Sequence, residues 1–382
     1  MARMSTTLDI LDRLIGFDTV SSRSNLELVE YAEAHLNACG FRVRRLPDPD
    51  GGKAGLYAEI GPPGAGVLLS GHTDVVPVEG QVWSRDPFRL TLEGNRAYGR
   101  GTTDMKGFVA SALALAQRAA AIELAEPLKI VLSYDEEVGC VGIARMLDRL
   151  APMLGAPRAC IVGEPTRMQV ATGHKGKVAL RAICTGQAGH SALAPRFVNA
   201  LHLAADFVTA LRGVQNELAT AGAQDPAYDV PCSTVHVGTL HGGRALNIVP
   251  DRAEMMLEFR HLAADWANDL MARIRTEAHR IGRAYGDAGG ISVEQINAYP
   301  GLDVDPADPV VAYVRKLSGQ PHTTKVAFGT EAGFFHGLGI PTVVCGPGSM
   351  EGQGHKPDEY VTLDQLAACD AMMDRLLDDL RA

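Results

Sequence analysis

Three short apolar runs, Val67-Leu68-Leu69, Ile130-Val131-Leu132 and Cys160-Ile161-Val162, each give way within a few residues to a histidine or an acid. Runs of this length, spaced by helical stretches, read as strands of a mostly parallel sheet buried on both faces. In such sheets, sites gather beyond the carboxyl ends of the strands. His72 follows the first run, Glu136 and Glu137 the second, and Glu164 the third. Asp104, in Gly101-Thr-Thr-Asp-Met-Lys-Gly107, precedes an Ala- and Leu-rich helical stretch, and His355 lies in a Gly-rich loop near the C-terminus.

Each of these residues has an ordinary structural explanation. Asp104 is a suitable helix N-cap, and Glu136-Glu137 suits the first turn of a helix, where the macrodipole favours acids. Caps do not explain why acids and histidines recur at the ends of successive strands. His72, Asp104, Glu137, Glu164 and His355 are therefore read as ligands of two divalent metal ions. Imidazole with carboxylate suits zinc first and cobalt second, with manganese also compatible, rather than calcium or an iron–sulfur cluster. Glu136, beside one ligand, has the chemistry of a general base. Asp74, two residues beyond His72 in an extended segment, is expected to accept the other imidazole N–H and fix the tautomer.

The chain has 382 residues, too many for one typical domain, and 46% of them are hydrophobic, enough for a large core. A net charge of -9 with no basic run interleaved with aromatics argues against nucleic acid as a partner. No apolar stretch approaches the ~18 residues that span a bilayer, and Asp and Arg residues near the N-terminus spoil a signal-peptide core. The seven cysteines are scattered, with no Cys-x-x-Cys pair, which fits a reducing cytoplasm better than a disulfide framework.

Periodicity divides the chain. Strand and helix alternate from Ser5 to Cys160–Val162; after about Gly173 the order becomes strand–helix–strand–strand–helix–strand, the split βαβ arrangement, over Lys177–Thr185, Ala200–Val214, Ser233–Leu240, Ala253–Arg260, Trp266–Tyr285 and Ile291–Asn297. Past Leu302 helix–strand order returns. The expected fold is α/β: a mostly parallel mixed sheet with helices on both faces, interrupted by an inserted α+β domain. Its expected boundaries are 1–174 and 289–382 for the metal-bearing domain and 175–288 for the insert.

The segments Gly71-His-Thr-Asp-Val-Val-Pro77, Tyr98-Gly-Arg-Gly-Thr-Thr-Asp-Met-Lys-Gly107, Asp135-Glu-Glu137, Val162-Gly-Glu-Pro165 and Gly354-His355-Lys together resemble the dinuclear-metal amidohydrolases of the M20 peptidase and deacylase family, over nearly the whole chain. The resemblance implies that His72 and Glu164 hold one ion, Glu137 and His355 the other, and that Asp104 bridges them. It implies that the insert is a lid and a homodimerisation surface. Within it, His190 would stabilise the oxyanion across the dimer, and Asn247 and Arg260 would bind the substrate's α-carboxylate.

Thr172-Gly-His-Lys-Gly176, Gly329-Thr-Glu-Ala332 and Gly346-Pro-Gly-Ser349 with His355-Lys-Pro-Asp-Glu-Tyr360 resemble the acetylornithine deacetylase branch. The implied substrate is a small N-acyl amino acid, with desuccinylase, aminoacylase and metallo-exopeptidase chemistry as the rivals. Glu331, an acid in a Gly-flanked loop, is expected to favour a cationic substrate side chain by charge pairing.

Overall fold

A computed structural model describes residues 2–381; Met1 and Ala382, the outer limits of the expected domains, lie outside the described residues. The first segment runs α1 (Ala2–Ile15), α2 (Leu26–Ala38), β1 (Arg42–Pro47), β2 (Ala54–Ile60), β3 (Val67–His72), β4 (Thr91–Glu93), β5 (Arg96–Tyr98), α3 (Lys106–Ala119), β6 (Leu128–Ser133), α4 (Val141–Leu154), β7 (Ala159–Val162) and β8 (Val170–His174). Then come β9 (Gly176–Thr185), β10 (Gly189–His190), α5 (Ala200–Ala221), β11 (Thr234–Gly242), β12 (Ile248–Val249), β13 (Arg252–His261), α6 (Ala267–Ala284) and β14 (Gly290–Tyr299). The chain ends with β15 (Leu302–Asp303), α7 (Pro309–Ser318), β16 (Thr323–Val326), α8 (Ala332–Gly337), β17 (Thr342–Val344), β18 (Tyr360–Thr362) and α9 (Leu363–Asp379). The described residues fold into two compact units: unit 1 comprises 2–173, Leu302–Val326 and 330–381, and unit 2 comprises His174–Gly301 and Ala327–Gly329.

Unit 1 is built on a sheet ordered β1-β2-β6-β3-β7-β17-β8-β15, with β16 on β8. Its centre, β6-β3-β7-β17, is parallel, and the flanking β1-β2-β6 and β17-β8 pairs are antiparallel. Every residue of β3, β6 and β7 is buried, as continuous apolar runs covered on both faces require. Helices surround this sheet: α3 packs on β3, α4 on β2 and β6, and α8 on β17 and β7. The expected strands and helices recur with ends shifted by a few residues. A small sheet, β18-β5-β4, was not foreseen; its strands are three residues each, too short for alternation to register.

Unit 2 is a four-stranded antiparallel sheet ordered β11-β13-β9-β14. β9 alternates strictly between buried and half-buried positions before its exposed last residue, the signature of a sheet with one covered face. Leu180, Ala182, Met255, Leu257 and Phe259 turn toward α5 and α6, and close a core with Leu203, Phe207, Ile274 and Ile281. β13 lies between β9 and β11, so the β9–α5–β11 crossover is split. Because β14 pairs with β9, the sheet takes in Gly290–Tyr299, beyond residue 288, where the sequence put the end of the insert. α5 runs to Ala221 rather than Val214 because Leu218 continues its buried stripe.

Candidate metal centre

Register brings the first ligands together. In the parallel pairs His72 lies opposite Ser133 and Ser70 opposite Val162, so His72, Glu136-Glu137 and Glu164 leave neighbouring strands at the same edge. Glu164 follows Gly163, at which an added Cβ would fall 2.0 Å from the Phe108 ring; at Gly346 it would fall 2.0 Å from the Gly163 carbonyl oxygen. Those glycines let the β7 loop sit between α3 and the loop after β17. Asp104 sits at the entry to α3, joined to Met105 by a cis peptide. His355, with φ 59°, comes from the loop between β17 and β18.

Asp104 stands at the centre. Its Oδ1 is 3.1 Å from His72 Nε2 and its Oδ2 is 3.1 Å from His355 Nε2. Glu164 Oε1 lies 3.7 Å from His72 Nε2, and Glu137 Oε2 lies 3.0 Å from His355 Nε2. The ligand atoms of His72, Glu136 and Glu164 fall within 4.8 Å of one another, as do those of His72, Asp104 and Glu137.

The electrostatics are those of crowded acids away from water. Burial, then the charge of Asp104, pushes the Glu137 carboxyl up to about 7, and the same two causes raise Glu164 well above the carboxylate range. Burial likewise raises Glu136, with Glu137 and Asp104 adding to it against the opposing pull of His72. Burial acts upward on Asp104 too, but hydrogen bonds to His355 and His72 outweigh it and hold this acid well below its ordinary range. His355 is moved the other way: burial lowers it, yet Asp104 and Glu137 raise it to about 10. Glu137 Oε1 is buried with no hydrogen-bond partner, a costly state for an anion unless a cation meets it. Donor type, spacing and this orphaned oxygen all fit a pair of divalent ions.

Two residues tune the acids in ways the sequence did not reveal. Asp74 Oδ1 accepts the Glu136 N–H at 3.1 Å, and its Oδ2 accepts the Glu137 N–H at 3.3 Å and the Ser21 hydroxyl at 2.7 Å. The nearest acceptor for His72 Nδ1 is therefore the Asp74 carbonyl, at 2.9 Å, with the carboxylate at 3.5 Å. Asp74 thus clamps the turn that aims Glu136 and Glu137 in different directions. Cys140, buried at the start of α4, donates its thiol to Glu136 Oε1 at 3.1 Å. Its position four residues past Glu136 was the available signal.

Glu331 is only 1% exposed. Its Oε2 is 3.4 Å from Ser70 Oγ, and its Oε1 has no partner. Ser70 stands two residues before His72 on β3, so this acid lies in the interior of unit 1 rather than in an open loop.

In unit 2, β10 pairs with β12, and the Ser191 N–H donates to the Asn247 carbonyl at 3.1 Å, which brings exposed His190 and exposed Asn247 together. His190 Nδ1 accepts the Ala192 N–H at 3.1 Å. Arg260, at the end of β13, donates through Nε to Glu258 Oε1 at 3.0 Å and through Nη1 to the Ala327 carbonyl at 3.5 Å. Glu258 is shared with Lys177, 3.1 Å away.

Known proteins bear on this arrangement. The family model for peptidase family M20/M25/M40 matches residues 68–379. A Myxococcus xanthus protein named acetylornithine deacetylase is 34% identical over 385 residues, covering 97% of this chain and 98% of its own. One of the same name from Edwardsiella ictaluri is 33% identical over 362 residues, covering 94% and 92%. Among solved structures, an M20 metallo-carboxypeptidase from Sulfolobus solfataricus superposes with a TM-score of 0.80 at 21% identity, covering 97% of this chain and 98% of its own. An aminopeptidase from Bacillus cereus does so with a TM-score of 0.78 at 19% identity, covering 99% and 98%. At those identities the structures share the fold.

Proposed function

The chain belongs to peptidase family M20/M25/M40, and on that footing we propose that it hydrolyses N2-acetyl-L-ornithine to L-ornithine and acetate, a step of arginine biosynthesis. The observation that carries the reading is Asp104, whose two oxygens each face a different imidazole, with Glu164 beside one and Glu137 beside the other. His72 and Glu164 would hold one ion and His355 and Glu137 the other, with Asp104 shared between them. Zinc is the preferred metal and cobalt the second. When bound, the ions supply Lewis acidity to the amide carbonyl and lower the pKa of water.

The chain's own groups supply the proton transfers. Glu136 is half-buried beside the ligands, and desolvation raises its pKa, as a general base working near neutral pH requires. It takes the proton of the attacking water as the new C–O bond forms. It then returns that proton to the nitrogen as the C–N bond breaks, so that acetate and the free amine leave. Cys140 and the Asp74 clamp hold the Glu136 carboxylate and backbone in place for this. His190 is assigned the oxyanion, and Asn247 with Arg260 the substrate carboxylate; Arg260 must then exchange Glu258 for substrate.

Unit 2 is assigned the lid and the homodimer contact, a reading supported by the exposed Leu240, Met256 and Ile296 on its strands. The names of the relatives support an acetylated ornithine, and Glu331 is assigned the preference for a cationic side chain. The cytoplasm is the proposed compartment, supported by seven free, buried cysteines; no described helix is long and apolar enough to cross a membrane.

The test is turnover of a panel of N-acyl amino acids by the zinc-loaded enzyme and by Glu136→Ala. We expect acetylornithine to be the best substrate, and the variant to keep both metals while losing kcat by about 10²- to 10⁴-fold. Undiminished turnover in the metal-replete variant removes Glu136 from the mechanism, and a better desuccinylase or peptidase rate replaces the substrate.

A further inference from the structure

Against the backbone of the loop that carries Asp104 lies a second charged pair, whose side chains are not among the expected ligands. Glu359 and Arg100 are each 1% exposed in their side chains and meet through Arg100 Nη1 and Glu359 Oε2 at 2.5 Å. Glu359 Oε1 accepts three backbone N–H groups, from Gly101 at 3.1 Å, Thr103 at 2.9 Å and Asp104 at 3.2 Å. Three donors on one oxygen fix the backbone up to Asp104 and leave that loop little freedom to turn its carboxylate.

The other end of the network reaches the second imidazole. Arg100 Nη2 donates to Gln81 Oε1 at 2.6 Å, and Gln81 Nε2 donates to the His355 carbonyl at 3.3 Å. Arg100 Nη1 also approaches the Lys356 carbonyl at 3.4 Å, and its guanidinium lies over the Trp83 ring, 4.9 Å from the centroid. His355 has φ 59°, a left-handed conformation that a non-glycine side chain adopts only when its surroundings hold it there. β5 and β18 supply the frame, because Tyr98 pairs with Tyr360 and the pair places Arg100 just beyond one strand and Glu359 just before the other.

We propose that Glu359 and Arg100, with Gln81, are positioning residues that tie the backbone of Asp104 to that of His355, and so set the affinity of the ion that those two residues and Glu137 would share. The pair acts on the ligands through their backbone, by the Asp104 N–H and, through Gln81, the His355 carbonyl. It holds two ligands from distant segments, Asp104 Oδ2 and His355 Nε2, at 3.1 Å. The ion nearer His72 and Glu164 depends on the network only through Asp104, so it is less affected. This inference rests on the two-ion reading above.

The experiment is stepwise zinc uptake by metal-free protein, followed by competition with a chromophoric chelator, alongside urea unfolding of the same metal-free samples. Glu359→Gln keeps the volume but sets an amide against the guanidinium. The expected result is that one of two uptake steps weakens about 10- to 100-fold while the other moves far less. Gln81→Leu, at a half-buried position, is expected to weaken the same step, and it replaces Glu359→Gln if that variant does not fold. Two unchanged steps, within twofold, in a folded variant overturn the proposal, whether or not urea stability falls. Equal weakening of both steps overturns it as well. If the wild type itself takes up fewer than two zinc ions, the two-ion reading falls, and this inference falls with it.

Discussion

At the scale of single residues, the telling cases are acids that burial leaves without a counter-charge. Burial, against a smaller opposing effect of Ser133, pushes the Glu331 carboxyl up to about 7, whereas an unfolded glutamate titrates near 4.5. The native state then binds a proton that the unfolded state has released. This contribution to stability is complete below pH 4.5 and is lost as the pH rises through about 7. Glu331→Gln has no such proton to lose. In metal-free protein, its stability relative to wild type should rise by up to about 3 kcal/mol between pH 5 and pH 8. Urea unfolding at the two pH values measures this, and a difference that does not move with pH means that Glu331 titrates normally. The same variant should raise KM for acetylornithine well above any change for an acetylated neutral amino acid; equal changes would remove Glu331 from specificity. Seen from the sequence, Glu331 looked like a loop acid because glycines flank it. In the fold it meets Ser70 and Ser133, which lie in strands far away along the chain. Residues such as His72 and Glu164 were easier to read, since each ends an apolar run. The acceptors Asp74 and Glu359 were harder, because hydrogen bonds to backbone N–H groups carry no side-chain signature.

At the scale of elements, the site depends on how closely strand ends can approach α3. Gly163 joins β7 to Glu164, and its missing Cβ is the space that the Phe108 ring occupies. Gly163→Ala must therefore move either the ring, which α3 carries into the core, or the loop bearing Glu164. Overpacking of this kind costs roughly 1–3 kcal/mol. We expect that loss in urea unfolding of the metal-free protein, together with weaker zinc uptake. A variant within 0.5 kcal/mol of wild type, the range of ordinary surface substitutions, would show that the loop yields freely. The long strands and helices were legible because their apolar periodicity runs for several residues. β4, β5 and β18 were not: three residues give no period, and what defines β18 is its pairing with β5, more than 250 positions earlier.

At the scale of the whole molecule, the change of rhythm near Gly173 announced an inserted unit, and unit 2 has a core of its own. Its far end was harder to place because β14 is an edge strand with a mostly exposed or half-buried pattern, and only its pairing with β9 assigns it. All five expected ligands belong to unit 1, which makes a sharp claim about linkage. An ion that binds the native state alone stabilises it by RT ln(1 + [L]/Kd), about 2.7 kcal/mol per site at a hundredfold excess over Kd. That energy should appear where the ligands are. With zinc added to metal-free protein, amide exchange should slow most in β3, β6 and β7 and in the loops bearing Asp104 and His355. The amides of β9, β11, β13 and β14 should change little, because their sheet and its helices supply no ligand. Chelation should reverse the pattern without touching the unit 2 amides. Equal protection of both units would mean that they unfold as one cooperative block. Protection confined to unit 2 would put the zinc somewhere other than the Asp104 cluster.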